Sequence, residues 1–331
     1  MPKEITHWII AERVAKKLQG TVYEQAINKY PNIYKLGAVY HDLFYYLTPQ
    51  KYPKHQAIAQ GLASVTNKLH GISGEDTFAV LRCVAWQIQR QAENQHLIAF
   101  WLGLLTHIIA DQIFHPLVYY YTGEYYPVTD IKTRIRHQRH HLKFEALLDF
   151  YLCKGNYEEM NKYDLTALVK GLEYRFDDLV QQALAFYLTM NAEVYAKHML
   201  TALADAQKAH RQIRSFSRNS FFAPLFSFFP QNMQTKLGAL YYKQLNSYFE
   251  RLSGELAFKN PVTGQTTLTT IEEMLNLSVE NCIAYCQKWQ NSIFGVDSWD
   301  FPEKGHSLEH NQPPGKTYTF AYYEAFFEDY G

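Results

Sequence analysis

The segment WLGLLTHIIADQIFHP (101–116) carries three groups able to do chemistry: His107, Asp111 and His115, at i, i+4 and i+8. On an α-helix each step of four residues turns by about 40°, so all three project from one broad stripe. The rest of the helix is almost wholly apolar, the pattern of a buried helix. Burying even one such polar group without a partner is costly, so three on one stripe need something to bind. A metal ion meets that need, because imidazole and carboxylate both suit Zn2+. Further on, His141 and Glu145 in RHHLKFEALLD repeat the i, i+4 spacing. Facing helices that offer His and carboxylate ligands inward build a multinuclear metal site.

Other polar groups sit in apolar settings: Asp42 in YHDLFYY, and His7 beside Trp8. Each has a plainer reading. His7 alone suits a hydrogen-bonded core histidine, Asp42 a local cap or pair, and His107 alone a structural buried histidine. His137 and His140, among Arg134, Arg136 and Arg139, read as a solvated basic face. The five residues His107, Asp111, His115, His141 and Glu145 taken together favour metal binding.

The elements that must position these groups are helical. Apolar residues at helical period place a helix over 5–19 with Gly20 as its stop, and another over 26–46 broken at Pro31-Asn32. Further helices are expected over 55–69, 77–90, from 97 to near Pro116, and over 134–152. Residues 157–213 read as two or three amphipathic helices, and 231–255 and 268–294 as one each. No run alternates cleanly at period two, so strand content is expected to be small. The tail from Asp297 reads as loop. The fold class is all-α: a helical bundle over 1–155, which holds the histidine and carboxylate clusters, then a helical, aromatic-rich extension over 156–331.

Composition excludes several classes. Lys+Arg and Asp+Glu are both 32, so the formal charge is zero, which leaves no dominant phosphate-binding surface and makes nucleic acid an improbable partner. Hydrophobic content of 47% can fill a sizeable core and excludes a disordered chain. The four cysteines, Cys83, Cys153, Cys282 and Cys286, are expected to be free thiols. No secretory-type apolar segment precedes a small-residue cleavage site near the start, so a cytoplasmic location is expected. The stretch 97–121 is long enough to span a bilayer, but His107, Asp111, Gln112 and His115 lie through its middle; a soluble core helix is expected.

The order THWIIAERVA, GAVYHD, LHGISGEDTF, HIIADQIFHP, HHLKFEALLD resembles the zinc-dependent phospholipase C family over residues 4–150. That family shares its helical fold with the single-strand-specific zinc nucleases of fungi and plants. The resemblance implies two or three Zn2+ ions. Asp42, His70, His107 and Asp111 would hold the first; His115, His141 and Glu145 the second; Asp111, as a bridge, and His7 the third. Characterised relatives complete the third site with the amine and carbonyl of a mature N-terminal Trp, whereas this sequence begins Met1-Pro2. The interval from Asp111 to His115 is shorter than in the secreted phospholipases. His55, in PKHQ, is the alternative to His70; the LHGISGEDTF context favours His70.

The implied activity is hydrolysis of a phosphodiester, with Asp42 orienting the attacking water or accepting its proton. The substrate would be a phospholipid or a small phosphodiester. Peripheral membrane contact through the Phe-rich segment 215–230 is a further option, against ordinary core packing. The alternatives are a single-strand nuclease on the same fold, a metal phosphohydrolase built on the His41-Asp42 pair, and a non-catalytic protein in which zinc staples helices.

Overall fold

The computed structural model describes residues 4–46, 64–126, 128–172, 200–208, 212, 245–295 and 303–327. His55 and the segment 215–230 lie outside the described residues. Among the described residues up to Leu152 the α-helices are α1 (Glu4–Lys17), α2 (Glu24–Lys29), α3 (Pro31–Gly37), α4 (64–70), α5 (Ala79–Ile88), α6 (Gln95–Thr122) and α7 (Ile131–Leu152). A 3-10 turn, Tyr40–Tyr46, follows α3. Short helices occupy Tyr157–Asn161 and Leu165–Lys170, and residues 200–208 are helical. Where one helix over 231–255 was expected, the described part holds a single α-turn, Asn246–Phe249, and a 3-10 turn, Glu250–Leu252. An antiparallel hairpin follows, β1 (Leu256–Lys259) with β2 (Thr266–Thr269), and then the long helix Ile271–Ile293. The fold is mostly helical, as expected.

Helix α6 is the axis of the molecule. It packs against α1, α2, α3, α5, α7, β1 and Ile271–Ile293. Every residue in it except Gln95, Ile113 and Tyr121 is buried. Among the described helices it alone is long and apolar enough to cross a membrane, and its most apolar window is 94% buried inside the protein. Pro116 does not end it. The proline removes one backbone donor, at a cost of about 3 kcal/mol, but a helix enclosed on every side is held by packing and continues to Thr122.

Two local devices bring ligand-bearing elements onto α6. Gly37 of α3 and Gly103 of α6 meet backbone to backbone; a Cβ on Gly103 would come within 2.2 Å of the Tyr34 carbonyl. That approach lays the end of α3, and so the Asp42 turn, against His107. At the start of α1 the unpaired helix amides find a carboxylate from α7. Asp149 accepts from the Ile5 and Thr6 amides at 3.2 and 2.9 Å and from Thr6 Oγ1 at 2.6 Å. This cap fixes the turn that carries His7. Asp149→Ala is expected to lower the unfolding free energy by about 3 kcal/mol, since buried donors lose a charged acceptor. Urea denaturation checks it, and unchanged stability would show that the cap is dispensable.

The expected solvated face on α7 is corrected. His137 and His140 are buried, while Arg134 and Arg139 remain exposed. The reason is the tail: Tyr323 lies on His137 and Phe327 on His140, with ring centroids 5.3 and 5.5 Å apart. The tail, described over 303–327, has no helix or strand there, as expected. All four cysteines are free.

Candidate metal centre

The sequence-predicted ligands His7, Asp42, His70, His107, Asp111, His115, His141 and Glu145 are all buried, and they come together. They arrive from α1, the 3-10 turn, the end of α4, α6 and α7. Three groups have ligating atoms within 4.8 Å of one another: His70, His107 and Asp111; His7, Asp42 and His107; and His115, His141 and Glu145.

Asp111 stands at the middle. Its Oδ2 lies 3.0 Å from His107 Nε2 and 3.7 Å from His70 Nε2. Its Oδ1 lies 3.4 Å from His7 Nε2 and 3.8 Å from His115 Nε2. Asp42 Oδ1 faces His70 Nε2 at 3.3 Å and His107 Nε2 at 3.7 Å, and its Oδ2 faces His7 Nε2 at 4.0 Å. On the far side His141 Nε2 is 2.8 Å from Glu145 Oε1.

The tautomers are set from behind. His70 Nδ1 donates to the Thr66 carbonyl at 2.8 Å, His107 Nδ1 to Ala38 at 2.9 Å, and His115 Nδ1 to Leu308 at 2.8 Å. A carbonyl only accepts, so each Nδ1 carries a proton and each ring turns its Nε2 inward. Each Nε2 faces carboxylate oxygens, an arrangement that a proton or a bound metal cation between them relieves. Neither Asp111 oxygen has a hydrogen-bond partner, nor do His107 Nε2, His115 Nε2 or Asp42 Oδ1. Zinc bonds of 2.0–2.1 Å in a tetrahedron put ligand atoms roughly 3.3 Å apart. The 3.0, 3.3, 3.4 and 3.7 Å separations here surround that value. The donor set therefore fits zinc.

Electrostatics agree. Burial opposes charge on His107, yet Asp111 and Asp42 overcome it and push the imidazole up to about 9. Burial likewise opposes the Asp111 charge, but His115, His107 and His7 hold its carboxyl well below the usual carboxylate range. Burial raises Asp42 and drives His7, His115 and His141 well below the usual histidine range. A proton on His107 thus occupies the place a metal would take. Zinc must displace it, so affinity is expected to rise with pH up to about 9, changing about tenfold per pH unit for that one proton. Chelator competition at several pH values reads the slope; a flat profile would remove His107 from the ligand set.

Two site features were not anticipated. His41 is buried with both ring nitrogens unpartnered and stacks on His107, with centroids 4.5 Å apart and planes 5° apart. His7 stacks on His107 at 4.1 Å. His41 had entered only as half of an HD pair, and nothing in the spacing revealed the stack. The second feature is the Leu308 carbonyl, which acts through the backbone and so leaves no side-chain signature.

The zinc dependent phospholipase C family model matches residues 6–217. This extends beyond the 4–150 over which motifs were legible. No curated protein and no solved structure matches the chain. With the match spanning more than half of the sequence, the chain belongs to the zinc-dependent phospholipase C family.

Proposed function

We propose that this protein is a zinc-dependent phosphodiesterase of phospholipase C type, with phospholipid or a smaller phosphodiester as substrate. The observation that carries the reading is Asp111, whose two oxygens face four imidazoles and join the His70–His107 group to the His115–His141–Glu145 group. A structural zinc needs four ligands in one closed set. Eight ligand candidates sharing one carboxylate suit a multinuclear hydrolytic centre better.

His107 has one nitrogen for one ion, so it serves either His70 and Asp111 or His7 and Asp42. We assign Asp42, His70, His107 and Asp111 to one ion, and His115, His141 and Glu145 to a second. His7 with Asp111 holds a third. The N-terminal residues that complete the third site in relatives fall outside the described residues here. Bound zinc would supply an acidified water and neutralise charge on the phosphoryl oxygens. Asp42 orients the attacking water and accepts its proton as the oxygen bonds to phosphorus. The P–O bond to the leaving alcohol breaks, and that oxygen takes up the proton that Asp42 accepted, directly or through solvent. Asp111 and Glu145 balance the positive charge at the centre, and the Nδ1 hydrogen bonds of His70, His107 and His115 hold the rings in place.

The test is metal content per chain together with assays on phosphatidylcholine vesicles, a chromogenic diester and single-stranded DNA. Diester hydrolysis that chelation abolishes and zinc restores is expected. A zinc-loaded chain that cleaves no diester would favour the stapled, non-catalytic reading, and cleavage of DNA alone would favour the nuclease.

A further inference from the structure

The family match ends at residue 217, yet the chain returns to the metal centre far beyond it. Leu308 bridges two ligand-bearing elements: its amide donates to the His70 carbonyl at 2.9 Å, and its carbonyl accepts from His115 Nδ1 at 2.8 Å. The flanking residues are seated as firmly. The Gly305 amide donates to Asp76 Oδ1 at 2.7 Å. The His306 carbonyl accepts from Thr77 Oγ1 at 2.7 Å and from Gln112 Nε2 at 3.0 Å. At Gly305 a Cβ would stand 2.2 Å from Thr77 Oγ1 and 2.5 Å from the Phe78 amide, so the segment lies flush only because that residue is glycine.

The next residue is Glu309. It is 3% exposed, and its Oε2 has no hydrogen-bond partner. Its carboxyl group interacts electrostatically with Tyr119 and Tyr125 and with His70 and Asp111. The Tyr119 and Tyr125 rings in turn stand 4.7 and 5.3 Å from His141. A carboxylate buried in this way is costly unless a cation compensates it. The compensating charge on offer is the centre itself, whose proposed ions outnumber in charge the three carboxylates Asp42, Asp111 and Glu145.

We propose that residues 305–310 are a working part of the zinc centre: the Leu308 carbonyl fixes the His115 ring, and Glu309 supplies a further carboxylate that stabilises the ions held beside His70 and Asp111. The proposal rests on the zinc reading above and adds to it a positioning residue from outside the family match.

The full-length chain tests it with three variants. Glu309→Gln keeps shape and removes charge; Glu309→Asp keeps charge; Glu324→Gln alters another carboxylate of the same tail, one that accepts from the Tyr120 hydroxyl at 2.9 Å. Zinc affinity is read by chelator competition, and the ligand field by the visible spectrum of the cobalt-substituted protein. Glu309→Gln is expected to weaken one zinc by about 10–100-fold and to shift the cobalt bands. Glu309→Asp should keep most of the affinity, and Glu324→Gln should leave the spectrum unchanged. Wild-type affinity and spectrum in Glu309→Gln would overturn the proposal, as would equal losses in Glu309→Asp or Glu324→Gln. A wild-type chain that takes up no zinc would overturn the underlying zinc reading as well, so the two failures are distinct.

Discussion

Asp111→Asn is expected to weaken zinc binding by more than about 100-fold, because even partners one shell further out are worth 10–100-fold. Diester hydrolysis should fall by more than about a thousandfold, the upper range for loss of a single stabilising group at an active site. The asparagine keeps one oxygen but turns an amide donor toward the second pair of imidazoles, and it brings no charge. Four Nε2 atoms that converge on two carboxylate oxygens lose their common anion. The thermodynamic signature separates ligation from folding. At zinc equal to 100 times the wild-type Kd, the wild type gains about 2.7 kcal/mol of stability; a variant binding 100-fold more weakly gains about 0.4 kcal/mol at the same concentration. Without zinc the variant is also expected to be less stable, since His107 loses the buried carboxylate that holds its proton, so the diagnostic quantity is the extra loss that appears only when zinc is added. A variant that is destabilised equally with and without zinc would make Asp111 a structural residue.

What the sequence revealed follows from how directly spacing becomes geometry. On α6 and α7 the i, i+4 interval puts ligands on one stripe whatever surrounds them, so His107, Asp111, His115, His141 and Glu145 were legible from the residues alone. His70 ends a helix and Asp42 lies in a 3-10 turn, where spacing carries no direction; only the family resemblance pointed to His70 and chose the ligand reading of Asp42 over a local cap. His7 read equally well as an ordinary core histidine, and it takes the Asp149 cap, 142 residues further along the chain, to aim it at Asp111.

Two of the failures share one cause. Pro116 stands inside a helix because neighbours enclose that helix, and His137 and His140 are buried because Tyr323 and Phe327 fold back over them. Both depend on contacts remote in sequence, which local periodicity does not encode. The hairpin was missed in detail for a different reason. Its strands have four residues each, and β2 turns hardly any side chain inward, so the alternation that marks a strand barely exists there. The contribution of Leu308 is the extreme case, since a backbone carbonyl is common to every residue type.

His141→Ala is expected to cost one zinc per chain and to leave the others in place. His141 belongs to the group with His115 and Glu145, whereas His70, His107 and Asp111 form their own set on the other side of the bridging carboxylate. Two remaining ligands, His115 and Glu145, make a poor site, while the His107 and His70 tautomers still rest on Ala38 and Thr66. Activity should fall by about 100-fold or more, because the lost ion is one of those that would neutralise charge on the phosphoryl oxygens. Metal analysis and the diester assay on the same preparation separate the outcomes. A mechanism that used only the His41-Asp42 pair would keep its rate, since neither residue belongs to the His141 group. Full activity with one ion fewer would therefore reject a catalytic role for the ion of the His115–His141–Glu145 group while sparing the rest of the metal site. Loss of every ion together would instead mean that the groups bind cooperatively through Asp111, and that the single shared carboxylate couples them more tightly than its 3.8 Å separation from His115 implies.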